Sequence, residues 1–489
     1  MKWLLAGLVA LTLFACLGYL YLPFTSDDAF IALRYARNLG RGIGPCFNPG
    51  EMSYGFTSPL WIFLLSVFQR AGLSLPDASK ALSFLSGAIG IILFLILAKR
   101  SSPQFRWLSL GLLAWATDPW LLRWSPSGME SSLAAALVLL SLLLFEGGKD
   151  AWGISFLAGL SLGTAFLVRP ECAGLFLCGE AVLGINRRWK GLGGLLLGFL
   201  VPALPWLLYA QAQFHRLLPN TFSAKAGLPL WRDSLRSLAR TLKIMGPSYL
   251  PELLGLVLAG FYLAARKEFL PALRRNLLFL IWLLGLPFLY ILMGVGVQSR
   301  YLLLITPLLI LLGIKGWELV LRNLRGSLQL LTYGAILILI LGTNLWLTFA
   351  WNYPTTLKFS QGVERCLIPL GDYLREKTPP EARVAMVDIG AVGFYSERGI
   401  VDLGGLIHPG LLPLIAKHPR EKILPYLPGA GYGKPEYFIT RAPHPGPEDF
   451  PGLTPILTKE FGPLGVSDPH TVWTFTLYKI NWDSLEAGT

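Results

Sequence analysis

LLAGLVALTLFACLGYLYLPFTSDDAFIALRYAR, residues 4–37, places an apolar run that ends near Leu22 directly before two adjacent carboxylates, Asp27 and Asp28. A run of this length can cross about 30 Å of hydrocarbon as a helix. The two acids therefore stand at the first interface between membrane and water. Acids paired at such an interface are candidates for a functional site.

The composition indicates a polytopic membrane protein. Of the 489 residues, 53% are hydrophobic and only 15% are charged, whereas about a quarter of the residues of a soluble protein are charged. The formal charge of +13 does not predict a nucleic-acid partner, because the basic residues form short clusters between apolar runs rather than one basic domain. Short basic clusters of this kind are typical of the cytoplasmic loops between transmembrane helices.

The apolar runs predict about eleven transmembrane helices. They are read at roughly 3–22, 78–98, 107–122, 131–146, 152–168, 171–186, 192–210, 249–265, 276–297, 300–314 and 327–350. Thr57–Ala71 is too short for a full span and carries Pro59. We therefore predict an interfacial or re-entrant helix there, in the first outer loop.

The basic clusters predict the orientation of these helices in a cell membrane. Cytoplasmic loops carry the excess of Lys and Arg, so the N terminus with Lys2 is expected inside. With Thr57–Ala71 excluded, every second loop is then basic, and Asp27 and Asp28 face outward. The protein is expected in the inner or plasma membrane, as a multi-pass protein.

The tail differs from the rest of the chain. From residue 353 onward, proline-rich connectors separate short apolar runs such as RVAMV (383–387) and TVWTFTL (471–477), a pattern typical of strands. We therefore predict two domains: a transmembrane helical domain over residues 1–352, and an extracytoplasmic α/β domain over 353–489.

The first outer loop predicts an amphipathic helix. Ser26 can cap it, and Ile31, Tyr35 and Leu39 form an apolar stripe. Arg34, Arg37 and Arg41 lie on another side of this helix. A purely structural interpretation stays open, because first-turn acids also complement the helix dipole and the arginines could meet lipid headgroups.

Other polar residues fall in the loops that are expected outside. Convergent cations there would suit a lipid phosphate, although Arg169 and Glu171 could form only an ion pair and a lone histidine is more often structural. The candidate substrate-binding residues are Arg34, Glu130, Arg169, Glu171, His215, Asn220, Lys225 and Arg300.

Several motifs together resemble the GT-C membrane glycosyltransferases, in particular the branch of the terminal arabinofuranosyltransferases. They are SDDAFIALRYARNL (26–39), FNPGE (47–51), GFTSPLW (55–61), SGME (127–130), RPE (169–171), PNTFSAK (219–225), SRY (299–301), DIGAVGFY (388–395) and VDLGGL (401–406). Each motif alone is weak, whereas their order and loop placement are specific. At Tyr54 the chain departs from the family, in which an acid often precedes the glycine.

The resemblance implies a GT-C-like fold and a transferase that moves a sugar from a polyprenyl phosphate to a hydroxyl of a glycan, lipid or protein acceptor outside the membrane. In the family an acid of the first loop acts at the sugar, and this role maps onto Asp27 or Asp28. We predict Asp28 as the general base, Asp27 as the residue that positions this base or the sugar, and Glu130 as a second acid at acceptor or donor. Arg300, Lys225 and His215 are predicted to neutralise the lipid phosphate. A single acid acting as nucleophile stays open.

Two further questions stay open at this stage. A divalent cation, Mg or Mn, with Asp28 among its ligands would also help to neutralise the phosphate. A secondary transporter or lipid flippase is the alternative function. Transporters usually carry ionisable residues near mid-span and repeats related across the membrane, whereas here the ionisable groups crowd one edge.

Overall fold

The computed structural model describes residues 1–101, 104–148, 151–221, 231–324, 326–418, 422–443, 452–465 and 468–487. The helices are α1 Lys2–Tyr19, α2 Asp27–Gly40, α3 Pro59–Arg70, α4 Leu75–Ser101, α5 Phe105–Ala116, α6 Pro119–Trp124, α7 Ser131–Gly147, α8 Trp152–Val168, α9 Cys172–Ile185, α10 Trp189–Phe214, α11 Trp231–Ala265, α12 Phe269–Arg275, α13 Leu277–Leu292, α14 Ser299–Leu302, α15 Thr306–Leu321, α16 Gly326–Leu347, α17 Tyr353–Gly362, α18 Ile368–Lys377, α19 Ala391–Ser396, α20 Leu412–Lys417 and α21 Trp482–Ala487.

Within the described residues, five helices are long and apolar enough to cross a membrane: α1, α4, α10, α11 and the continuous helical segment Gly326–Lys377. A sixth is reached if α12 and α13, which meet at 79°, form one broken span. Shorter apolar helices, α7, α8 and α9 among them, accompany these. The protein is therefore a multi-pass helical membrane protein, and the figure of about eleven spans stays a prediction.

Close packing of α8 on α10 depends on glycine. A Cβ on Gly159 or Gly163 of α8 would overlap backbone atoms of Leu195 or Phe199 in α10. Gly194 and Gly198 of α10 have the same relation to α8. Small residues let helix backbones approach closely in a membrane, where association depends on van der Waals packing rather than on a hydrophobic driving force.

The C-terminal domain is built on a five-stranded mixed sheet. Its strands are β1 Arg383–Met386, β2 Gly399–Asp402, β3 Tyr437–Pro443, β4 Leu453–Gly462 and β5 Trp473–Ile480, in the order β2-β1-β3-β5-β4. Strand β1 is parallel to β2 and β3, and β5 is antiparallel to β3 and β4. The predicted domain with strands near 383–387 and 471–477 is thus present. The boundary at 352/353 stays a prediction, since one helical segment runs through it from Gly326 to Lys377.

The predicted first-loop helix, α2, is buried against the sheet domain. Phe30 lies 5.7 Å from Phe394, measured between ring centroids. Arg37 pairs with Glu397 at 2.9 Å and donates to the backbone oxygen of Phe394. The interpretation in which the arginines of this helix meet lipid headgroups is therefore wrong for Arg37, because its guanidinium is bound by protein.

The loop after α2 forms hydrogen bonds with the edge strand β2. Asn48 accepts the N–H of Ile400 at 3.0 Å and donates to the Ile400 oxygen at 2.8 Å, as a neighbouring strand would. Glu51 lies 2.8 Å from Arg383 and 3.1 Å from His408. These bonds, with the Asn48 amide, hold the pKa of Glu51 down at about 2. The first loop and the sheet domain therefore form one packed unit.

Candidate functional site

A cavity of about 520 Å³ lies where the helical part meets the sheet domain. The loop before α2, helices α6 and α11, the segment before α14 and the sheet domain form its walls. Its polar lining comprises Ser26, Asp27, Asp28, Arg123, Arg240, Lys243, Gln298, Ser299, Asp388 and Arg441, beside aromatic residues that include Phe24, Trp120, Trp124 and Trp351. Both predicted catalytic acids thus line one cavity of a size suited to a small-molecule group.

Asp27 is held by the sheet domain. The N–H of Ala391, at the start of α19, donates to its Oδ1 at 2.7 Å. Burial raises the pKa of Asp27 to about 7, and the negative charges of Asp388 and Asp28 act in the same direction, against the hydrogen bond from Ala391. A carboxyl group that titrates near neutral pH is suited to proton transfer.

Asp28 has a different partner, which belongs to the helical part of the protein. Its Oδ2 lies 2.5 Å from Nη2 of Arg300 in α14. The Arg300 side chain is buried and is 5.3 Å from the ring centroid of Trp124. The two adjacent acids are therefore distinct: Asp28 is neutralised by an arginine, whereas Asp27 accepts a backbone N–H.

A buried network extends from Arg300. The guanidinium carbons of Arg300 and Arg169 lie 5.3 Å and 4.9 Å from the ring centroid of Tyr301. Arg169 pairs with Glu130 at 3.1 Å and with Glu171 at 3.0 Å. The structure thus brings four predicted site residues together, but they lie outside the lining of the cavity. Arg169, Glu130 and Glu171 satisfy one another's charge, whereas the charge of Arg300 is satisfied by Asp28.

Four cations that sequence reasoning did not assign to the site line the cavity: Arg123, Arg240, Lys243 and Arg441. Of these, Arg441 pairs with Asp388 at 3.0 Å. Arg123 is buried, and its Nε has no hydrogen-bond partner among the described residues. Arg240 and Lys243 belong to the first half of α11, a region interpreted from sequence as a loop. The spacing of Arg232, Arg236 and Arg240 at every fourth residue is the signal that predicts a helix with one basic face.

The remaining predicted residues lie elsewhere. Arg34 donates hydrogen bonds to the backbone oxygens of three residues and to Asn48, so this buried side chain connects α2 to the sheet domain. His215 is exposed in the left-handed C-cap of α10, and Asn220 donates to the Leu406 oxygen at 3.2 Å. Neither residue lines the cavity. Lys225 lies outside the described residues.

Tyr54, where the chain departs from the family pattern, packs among aromatic side chains of α10. Its hydroxyl accepts the indole N–H of Trp206 at 2.9 Å, and its ring stacks on Phe214 at 4.9 Å between centroids. Burial raises the pKa of Tyr54 to about 12. This position therefore supplies no carboxylate to the site.

The described residues do not fit a resident metal ion. Across these residues, no group of three or more His, Cys, Asp or Glu side chains could hold one. Asp28, the predicted ligand, is instead paired with Arg300, and Asp27 with the Ala391 N–H.

Solved structures resemble this fold over most of its length. ArnT from Cupriavidus metallidurans in the apo state matches with a TM-score of 0.56 at 14% identity, over 96% of this chain and 97% of ArnT. The same protein bound to undecaprenyl phosphate gives 0.52 at 13% identity, over 96% and 97% of the two chains. The Archaeoglobus fulgidus oligosaccharyltransferase gives 0.56 at 12% identity, over 88% of this chain and 69% of that chain. The protein therefore has the fold of the GT-C membrane glycosyltransferases.

Sequence comparison points to one branch of that class. A terminal beta-(1->2)-arabinofuranosyltransferase of Corynebacterium glutamicum is 30% identical over 233 residues, which cover 41% of this chain and 33% of the relative. The Mycobacterium tuberculosis protein of the same name is 31% identical over 222 residues, or 41% and 34% of the two chains. The chain thus spans about a third of the length of these curated relatives. The resemblance to GT-C proteins of the arabinofuranosyltransferase branch is confirmed.

The C-terminal part also matches a domain family. A domain of unknown function (DUF8728) covers residues 356–482. This segment contains α18 and the whole of the sheet, so it includes the residues that contact Asp27. The family description assigns no activity to it.

Proposed function

We propose that this protein is a membrane glycosyltransferase that transfers a sugar from a polyprenyl-phosphate donor to a hydroxyl of a cell-envelope glycan, lipid or protein. The observation that carries the proposal is the cavity in which Asp27 and Asp28 face Arg123, Arg240 and Lys243. Glycosyl transfer needs an acid–base group at the sugar and a stabiliser for the departing phosphate. The cavity supplies both.

Asp27 is the proposed general base. It accepts the proton of the acceptor hydroxyl while that oxygen bonds to the anomeric carbon, and the bond from this carbon to the phosphate oxygen breaks. The bond electrons leave with the lipid phosphate. Sequence analysis favoured Asp28 for this role, but the pKa of Asp27 near 7 and the Asp28–Arg300 pair favour Asp27, with Asp28 orienting the sugar.

Arg123, Arg240 and Lys243, which line the cavity, are the proposed phosphate ligands. A phosphate that departs at a membrane edge carries a charge that is costly to leave unpaired. Arg300 pairs with Asp28 and lies outside the cavity lining, whereas Arg123, Arg240 and Lys243 all line the cavity. We therefore assign the phosphate to Arg123, Arg240 and Lys243 rather than to the predicted Arg300, His215 and Lys225.

The proposed orientation places the cavity and the sheet domain outside the membrane. Lys99, at the far end of α4, lies 6.0 Å from the ring of Trp3, so this basic loop and the N terminus occupy one end of the helical part. Lys80, at the start of α4, donates to the oxygen of Leu22, beside the cavity. The positive-inside rule then supports a cytoplasmic N terminus.

Donor consumption by the purified protein in liposomes tests the function. A panel of polyprenyl-phosphate sugars is offered with mixed glycan acceptors, with and without a chelator, to the wild-type protein and to the Asp27→Asn variant. Consumption of one donor by the wild type alone supports the proposal, and the chelator arm reports on a metal. Movement of lipid or solute across the bilayer without donor consumption would support a transporter instead.

The pH profile of the transferase should follow Asp27. Because its pKa is raised to about 7, the basic form is lost as pH falls through 7 and is fully present above it. We therefore expect kcat/KM to rise with pH through about 7 and then level off on this limb. Steady-state rates between pH 5 and 9 measure this, and a midpoint near 4, the ordinary value of a carboxyl group, would contradict the assignment.

Glu130→Gln should lower the stability of the protein. Glu130 is buried and pairs with Arg169, and a hydrogen bond to a charged group contributes about 1.5–3 kcal/mol. Unfolding of the purified protein in detergent, followed by the denaturant midpoint, measures the loss. A carboxylate that served only the substrate would leave this midpoint unchanged.

A further inference from the structure

One turn of the sheet domain lies directly against the proposed base. This turn, Asp388–Ala391, follows β1 and leads into α19. Its last residue donates the N–H that Asp27 accepts at 2.7 Å, and its first residue lines the same cavity as Asp27. The contact joins two segments more than 360 residues apart in the chain.

The turn approaches Asp27 so closely that it requires glycine. A Cβ on Gly390 would overlap the backbone oxygen of Asp27 and would lie 2.6 Å from its Oδ2. The φ of Gly390 is −66°, a value that any residue can adopt. The close approach to Asp27 is therefore a reason for glycine at this position.

The turn is also anchored on its own side. Arg441 of β3 donates from Nη1 to both carboxylate oxygens of Asp388 at 3.0 Å. Its guanidinium lies 5.1 Å from the ring centroid of Trp473 in β5. Arg441 of the sheet therefore fixes Asp388 at the start of the turn. Ala391 at the end of the turn donates to Asp27, which lines the cavity from the first turn of α2.

We propose that the Asp388–Ala391 turn is a positioning element for Asp27, so that the sheet domain completes the active site instead of merely covering it. The inference rests on the proposed function for its effect on rate. Neither Gly390 nor Arg441 needs to touch the reacting atoms, because both act through the placement of the Asp27 carboxylate. A misplacement of about 1 Å is enough to cost about 10²-fold in rate.

A double-mutant cycle separates positioning from general support of the fold. Gly390→Ala is expected to lower kcat by about 10–100-fold and to leave the dissociation constant of the polyprenyl-phosphate donor unchanged. In an Asp27→Asn background the same substitution should change the residual rate no further. Equal losses in the two backgrounds would overturn the proposal.

Two further variants serve as a control and as a substitute for Gly390→Ala. Gly429→Ala, whose Cβ would make only an ordinary contact at 3.8 Å, is the control for a glycine substitution in the same domain. Arg441→Gln releases the anchor without adding an atom to the turn, and it replaces Gly390→Ala if that variant does not fold. It should lower kcat in the wild type and not in Asp27→Asn, and an unchanged kcat in the wild type would count against the proposal.

An infrared readout is independent of activity. The carboxyl bands that disappear in Asp27→Asn identify Asp27, and Gly390→Ala should move these bands because the bond to the Ala391 N–H is disturbed. If the bands move while the wild type consumes no donor, the positioning contact stands and the proposed function fails. If donor is consumed and the bands stay in place, the positioning proposal fails alone.

Discussion

Asp27→Asn should lower the rate of sugar transfer by about 10²–10⁴-fold, the range that a positioned general base contributes. The amide has nearly the shape of the carboxylate and can still accept the Ala391 N–H, but it cannot take a proton from the acceptor. Donor binding should persist, since the cations that we assign to the phosphate are untouched. Single-turnover rates and the donor dissociation constant, measured on the same preparation, give the two numbers.

The control for this prediction is an acid that lies outside the cavity lining. Asp372 is partly exposed, pairs with Arg375 at 2.7 Å on one face of α18, and does not line the cavity. Asp372→Asn should therefore leave the rate unchanged. If Asp28→Asn abolished transfer and Asp27→Asn kept the wild-type rate, the base would be Asp28, as the sequence alone predicted.

Local patterns predicted several helices of this fold, although the runs predicted at 107–122 and 300–314 are each divided between two helices. The run predicted at 152–168 is α8, Trp152–Val168, because an apolar segment between two loops leaves no other conformation that satisfies its backbone in lipid. The helix predicted within Thr57–Ala71 is α3, Pro59–Arg70, and its interfacial or re-entrant placement stays a prediction. Strand β4 was missed, because the sequence 453–462 carries Pro455, Lys459 and Glu460 and shows little apolar character.

The site was only partly predictable, because its assembly depends on distant contacts. The pair Asp27–Asp28 is visible in the sequence, as is the family motif that contains Asp388. No local pattern shows that Asp388 and Ala391 fold onto Asp27, or that Arg34 points into the sheet domain. Arg240 and Lys243 were missed for another reason: an amphipathic helix with a basic face has low mean hydropathy and was interpreted as a loop.

Arg34→Ala should destabilise the protein by about 3–5 kcal/mol. The buried guanidinium donates to the oxygens of Phe47, Gly393 and Arg398 at 2.8, 2.5 and 2.6 Å, and each buried acceptor left without a donor costs about 1–3 kcal/mol. Arg34→Lys should recover only part of the loss, because one ammonium group cannot reproduce the planar, forked donor geometry of the guanidinium.

Arg41→Ala is the control on the same helix. The Arg41 side chain is 47% exposed and lies 3.4 Å from Glu397, so a change of less than about 1 kcal/mol in the free energy of unfolding is expected. Denaturant unfolding in detergent measures all three variants, and equal losses for Arg34→Ala and Arg41→Ala would show that Arg34 does not join the first loop to the sheet domain.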